Sequence, residues 1–314
     1  MRLNFNHVMI LLDVAEGGSI NAAAQLRHVA QSAVSRTMRE LEQALGLKLL
    51  KRHARGIELT EAGRAILQLA QSIRAEANTA SRELARLREE ENVATLVIGA
   101  HPTLAAFVLP QIILHFGTRM PECQVTVREG MKETLLPALS AGELDLVICR
   151  IGNSQITPDL TEELVYQDSM VIVAGRHHPA VKSRRRILAK ELAAGRWLLP
   201  PEDSEPYLDA VKVFQALDLP IPVPKLKSAS VALIRTLLLT GQDWLAVVPR
   251  DLFWTDIEER RLKILHEVPS SRGRTIGLIL RRRPDVGVKS EVRLFRECLK
   301  EVVAVRSDAI IKSA

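Results

Sequence analysis

The chain has 314 residues, 47% hydrophobic and 25% charged, and reads as a soluble, globular protein of two or three domains rather than a disordered or fibrous one. Aromatic residues make up only 4%, too few for the stacking platforms that hold single strands or RNA. The net charge is +6, and residues 1–59 carry more than their share: Arg2, Arg27, Arg36, Arg39, Lys48, Lys51, Arg52 and Arg55 outnumber Asp13, Glu16, Glu40, Glu42 and Glu58. Cys123, Cys149 and Cys298 are far apart with no Cys-x-x-Cys, the pattern of free thiols in a reducing compartment. The first residues lack the features of a secretory leader, and no apolar run reaches the ~18 residues of a membrane span, so the cytoplasm is the expected location, with no membrane partner.

Phe5, Val8, Met9 and Leu12 share one face of a first predicted helix, which stops at Gly17-Gly18. Ser19 is placed as N-cap of a second helix, Ile20 to Arg27. After a joint at His28-Val29-Ala30, a third helix runs from about Gln31 to Ala44 and ends at Gly46. Its core face is Val34, Met38, Leu41 and Leu45; its opposite face is Gln31, Ser32, Ser35, Arg36 and Arg39. Two helices joined by so short a turn have the geometry that inserts the second into the DNA major groove. Gln can read adenine, Arg can read guanine or grip phosphate, and hydroxyls at helix N-termini, Ser19 included, suit phosphate oxygens. Short extended pieces around Lys51, Arg52 and Arg55 read as a basic wing along the DNA backbone. The competing reading is an ordinary helical pair with a solvated polar face.

Thr60 is placed as the cap of a long helix. Ile66, Leu69, Ile73, Ala77, Ala80, Leu84 and Leu87 follow at spacings of three and four, a coiled-coil seam. Because the stripe is narrow, the helix is expected to pair with its own copy rather than lie on a core; the alternative is a solvated linker. Beyond Glu91, strands and helices alternate, which predicts parallel α/β structure. A helix is expected from Thr103 to Phe116, another from Lys132 to Ala141, and a last one from Val288 to Val303. The fold class is therefore α/β: a winged helix-turn-helix and long dimerisation helix, then a two-lobed binding-protein-like domain. The domains are expected at 1–59, 60–92 and 93–305, with a frayed tail at 306–314. Lobe one takes 93–165 and about 272–305, and lobe two about 166–271.

The stretch "GGSINAAAQLRHVAQSAVSRTMRELEQALGLKLLKRHARGIELTEAGRAIL" resembles the N-terminal domain of LysR-type transcriptional regulators. It carries in order Gly-Ser, Ala-Ala, His-Val-x-Gln, Ala-Val-Ser-Arg, Leu-Glu-x-x-Leu-Gly, Leu-x-x-Arg and Leu-Thr-x-Ala-Gly. "PTLAAFVLP", "LSAGELDLVI" and "GRHHP" resemble the effector domain of the same family, and "SASVALIRTLLLTGQDWLAVVPR" resembles its sugar-responsive, galactose-binding-protein regulator branch. The resemblance implies a dimer or tetramer on an inverted-repeat, double-stranded operator, with an acidic metabolite or sugar as effector between the lobes. It leaves room for RNA polymerase as a further partner and implies no cofactor and no metal. Carried over by position, the effector residues are Thr103, Lys132, Arg150, Pro201, Ser228, Ser230 and Val248. Lys132 with Arg150 points to an acidic effector; the alternative makes both of them rim charges.

Two positions depart from the family pattern. Ala30 stands where a capping Ser is usual, and Arg27 stands where an apolar side chain is usual. Arg27 is expected either to extend its stem outward or to let the helix turn and bury Leu26. The runs Arg184-Arg185-Arg186 and Arg281-Arg282-Arg283, and the pair His177-His178, read as solvated ends and turns. No nucleophile elbow, HExxH, P-loop or dinucleotide fingerprint occurs, so an enzyme is disfavoured. A small-molecule binding protein without a DNA role is the other competing class.

Overall fold

The computed structural model describes residues 4–53, 56–88, 93–152, 156–182, 192, 195–268, 274–282 and 288–313. Helices α1 (Phe5–Glu16), α2 (Ile20–Leu26) and α3 (Gln31–Leu45) enclose a core of Val8, Leu11, Leu12, Val34, Met38 and Leu41. Ala23 and Ala24 are buried and let α2 come close to its neighbours. Local chemistry sets the helix ends. Asn4 Oδ1 accepts from Asn6 N, Ser19 Oγ accepts from Ala22 N, and Gly46 closes α3 at φ 68°, a left-handed conformation suited to glycine. Ala30 sits at the N-cap of α3 and offers no side-chain acceptor. The hairpin β1 (Leu50–His53) and β2 (Gly56–Leu59) is antiparallel, with Leu50 opposite Leu59.

Arg27 takes neither expected course. It lies at the C-cap of α2 and forms an ion pair with buried Asp13 of α1, while its Nη1 donates to Asn6 Oδ1 at 3.0 Å. Leu26 is left 65% exposed. A polar pair thus takes the place of an apolar contact between α1 and α2.

Helix α4 (Glu61–Arg88) spans about 42 Å. Its first turns do lie on a core, contrary to the sequence expectation: Ala70 is buried, and Ala62, Ile66 and Leu67 pack on the three-helix domain. Arg74 fastens the junction with two hydrogen bonds to Glu16, at 2.6 and 2.9 Å. Farther along, Ala75 is buried against Gly142, and Asn78 Nδ2 donates to Ala141 O at 2.8 Å.

The first lobe is built on a sheet of order β4-β3-β5-β12-β6: β3 (Thr95–Ala100), β4 (Gln124–Glu129), β5 (Leu146–Arg150), β6 (Leu160–Asp168) and β12 (Arg274–Arg281). The second has the order β11-β7-β10-β8-β9: β7 (Met170–Gly175), β8 (Arg196–Leu199), β9 (Leu226–Lys227), β10 (Trp244–Pro249) and β11 (Leu262–Val268). Both sheets are mixed rather than parallel, because β12 runs antiparallel to β5 and β6, and β7 antiparallel to β10 and β11. These strands lie where the chain passes between lobes. β6 leads directly into β7 and so carries the chain from the first sheet to the second.

Around the sheets lie α5 (Pro102–Ala105), α6 (Val108–Arg119), α7 (Lys132–Ser140), α8 (Pro179–Lys182), α9 (Glu205–Ala216), α10 (Val231–Thr240), α11 (Trp254–Glu258) and α12 (Ser290–Ser313). The helix expected over Thr103 to Phe116 is broken in two at Phe107, which leaves helical geometry at φ −136° and ψ −68°. Pro110 explains the break: without an N–H it cannot continue a helix from the preceding turn, but it fits the first turn of a new one. The tail expected from 306 is backbone helix through Ser313. Arg281 is not a solvated end; its side chain is held by Glu76 (3.6 Å) and Thr79 (3.3 Å) of α4. His178 is buried rather than solvated, and its Nδ1 accepts from Ala180 N. Arg184, Arg185, Arg186 and Arg283 lie outside the described residues.

Candidate DNA-reading face and effector cleft

α3 is anchored by Val34, Met38 and Leu41 and turns its other side to solvent. Gln31, Ser32, Arg36 and Arg39 are exposed, and Ser35 is half-buried beside them. Arg36 is held by Glu40 at 2.8 Å, one turn on, with its side chain 79% exposed. Arg39 Nε donates to Ser35 O at 3.3 Å. The face therefore presents one amide, two hydroxyls and two guanidinium groups. Ser19 is spent on capping α2 and is half-buried.

The hairpin is joined to α3 by Glu42, the Glu of the Leu-Glu-x-x-Leu-Gly motif, to which the sequence alone assigns no role. Its carboxylate accepts from Leu49 N (2.8 Å), Leu50 N (3.3 Å) and Lys48 Nζ (2.8 Å). Burial alone would raise its pKa; the Lys48 bond and the two amides outweigh burial and hold the carboxyl below its usual range. Lys51 is exposed on β1. The side chain of Arg52, and Arg55 altogether, lie outside the described residues.

Along α4, Leu69, Ala77, Ala80 and Leu84 are exposed, while Ile66 and Ile73 are half-buried. The Leu87 side chain lies outside the described set.

Between the lobes lies a small cavity of about 50 Å³. Thr103, Arg150 and Val248 line it; Lys132, Pro201, Ser228 and Ser230 do not. Lys132 turns instead to Glu162 of β6, at 3.8 Å. Pro200, Ala229 and Val231 take the places expected of their neighbours: Pro200 and Ala229 lie in non-helical chain, where successive side chains face different ways, and Val231 is the first residue of α10. Ser230 is turned to α10, whose Leu233 N it caps.

Four further residues complete the cleft. Arg150 Nη1 donates to Asp209 Oδ2 at 2.8 Å and lies 3.3 Å from Glu205 Oε1. Arg274 Nε lies 3.7 Å from the same Asp209 oxygen, and its Nη2 donates to Thr103 Oγ1 at 3.3 Å. The Thr103 hydroxyl meets His101 Nδ1 at 2.9 Å. Burial first, and then the positive field of Arg274, push the His101 imidazole down to about 4. His101 therefore stays neutral and accepts at Nδ1.

This has a pH signature. The unfolded chain takes up a proton near pH 6.5, whereas the folded chain resists it until about pH 4. The stabilising difference is complete above 6.5 and is lost as pH falls through 4. His101→Asn should flatten the fall in stability between those limits, by up to about 3 kcal/mol. Denaturant unfolding of both proteins across this window checks it; parallel curves would show that His101 titrates normally.

Comparison with known proteins bears on both sites. Residues 5–64 match the family model described as bacterial regulatory helix-turn-helix protein, lysR family, and residues 89–304 match the LysR substrate binding domain. The chain is 28% identical over 280 residues to the uncharacterized HTH-type transcriptional regulator YdcI of Escherichia coli K12, covering 89% of this chain and 90% of that protein. It is 27% identical over 316 residues to the HTH-type transcriptional regulator PcaQ of Agrobacterium fabrum C58, covering 98% of each. Full-length CbnR complexed with its target DNA has a similar fold, with a TM-score of 0.53 at 24% identity over 96% of this chain and 100% of that one.

Proposed function

The chain belongs to the LysR family of transcriptional regulators, DNA-binding proteins whose activity is modulated by a small molecule held between two α/β lobes, and from that premise we propose that α3 reads the operator. One observation carries this reading: Gln31, Ser32, Arg36 and Arg39 stand outward together on a helix whose other side is fixed in a core. In the major groove, Gln31 and Arg36 reach base edges, Arg39 and the serines hold phosphates, and the basic hairpin follows the backbone. α4 pairs two copies through its exposed seam, and two dimers make a tetramer. A two-fold protein matches an inverted repeat. RNA polymerase as a further partner rests on family membership alone.

Effector binding in the cleft moves the lobes or the dimer–dimer packing, and so changes the bend of bound DNA. Linkage requires that the effector prefer one arrangement.

The test is footprinting and affinity measurement on DNA upstream of the protein's own gene over a salt series. Arg36→Ala should weaken specific binding by about 1–3 kcal/mol and relax selectivity at one base pair. The substitution removes only an exposed pair with Glu40, so the fold should survive. Unchanged affinity in the folded variant would remove Arg36 from the interface.

A further inference from the structure

The cleft holds three charged side chains that are each more than nine-tenths buried: Arg150, Arg274 and Asp209. The two arginines come from lobe one, at the end of β5 and the start of β12; Asp209 comes from lobe two, on α9. A single Asp209 oxygen is shared between both guanidinium groups. Two cations so close in a poorly solvated place demand an anion. His101 remains neutral and adds no third positive charge. The rest of the cavity wall is largely apolar, with Met170, Ile234, Val248 and Leu252, which suits a hydrocarbon body. The space of about 50 Å³ holds one or two waters and no metabolite while Asp209 is in place.

We propose that Asp209 is a built-in carboxylate that latches the lobes: the effector is an organic acid whose carboxylate takes the place of Asp209 on Arg150 and Arg274 and so releases lobe two. This rests on the effector occupying the cleft and names its chemical class. Asp209 carries an acetate-like head on a short stem, so its removal leaves a site of matching charge for a free carboxylate. Glu205, one turn earlier on α9, lies near Arg150 but is half exposed, and it cannot neutralise the buried arginine pair by itself.

The experiment is a calorimetric titration of the full chain and its Asp209→Ala and Asp209→Asn variants with acetate and propionate at constant ionic strength. Alanine serves as the zwitterionic probe and galactose as the neutral one. Both variants should bind the two carboxylates at least tenfold more tightly than the unaltered chain, and adding Arg274→Met should abolish the gain. Asp209→Asn keeps the side-chain shape, so the test stands if Asp209→Ala fails to fold. Equal or weaker carboxylate binding by both variants overturns the latch. Loss of binding confined to alanine or galactose would also overturn it, because Asp209 would then hold the ligand itself. Val248→Trp, placed in the Asp209→Asn background, separates the two readings. If it blocks carboxylates, the site is the cleft; if the tighter binding persists unchanged, the site is elsewhere and the cleft reading fails with the latch.

Discussion

Gly63→Ala should destabilise the DNA-binding domain by about 3 kcal/mol, although alanine is the better helix former by about 1 kcal/mol. The reason lies in what faces Gly63. A Cβ built there would stand 2.2 Å from Leu49 O and 3.1 Å from the Leu59 side chain. The Leu49 carbonyl has little freedom to retreat. It accepts from Thr60 N at 2.9 Å, and the Leu49 amide is held by Glu42. Thr60 closes the same knot, donating through Oγ1 to Lys48 O at 2.6 Å and accepting from Gly63 N at 3.0 Å. The Leu-Thr-x-Ala-Gly motif is thus a joint between α3, the hairpin and α4, and glycine is the residue that lets the backbones meet. For a domain of this size the loss corresponds to a fall in Tm of roughly 10–20 °C. Amide exchange over residues 5–59 should accelerate with it. An equally stable variant would mean that the Leu49 carbonyl can leave the helix at little cost.

The N-terminal elements were legible because their determinants are local. Ser19, Gly46 and the cap that Thr60 gives Gly63 N act on atoms within a few residues, and the four-three-four spacing of Val34, Met38, Leu41 and Leu45 points to one face wherever the helix packs. The Arg27–Asp13 pair was not legible, since it joins two helices and substitutes charge for an apolar contact. The cleft was legible only in part. Arg150, Asp209 and Arg274 meet from three distant parts of the chain, and no spacing rule links them. Pro201, Ser228 and Ser230 missed the cavity by one residue each, an error to which loops and helix ends are prone because no period fixes which side chain turns inward. Strand β11 escaped the sequence reading for a related reason: its pairing with β7 shifts between Ile264 and His266, which breaks the alternation that marks a strand.

Leu84→Glu should separate the copies while leaving each chain folded. Leu84 is 58% exposed in the single chain, so a carboxylate there meets water and costs the monomer almost nothing. The situation changes when two seams close. Each copy then brings one charge into an apolar contact without a partner, at roughly 2 kcal/mol apiece. Two such losses amount to about 4 kcal/mol, or about a thousandfold in the dimer dissociation constant. The opposite side of α4 supports this use of the seam. Ala75 is committed to Gly142, and Asn78 and Thr79 to Ala141 and Arg281, so the helix is held to lobe one by the face that points away from Leu69, Ala77, Ala80 and Leu84. One helix can therefore hold its own effector domain and a second copy at once. Sedimentation equilibrium of the variant at micromolar concentration should show a monomer, with half-site binding in place of the full inverted repeat. A mass equal to that of the unaltered protein would take the seam out of the assembly and leave the exposed leucines without a role.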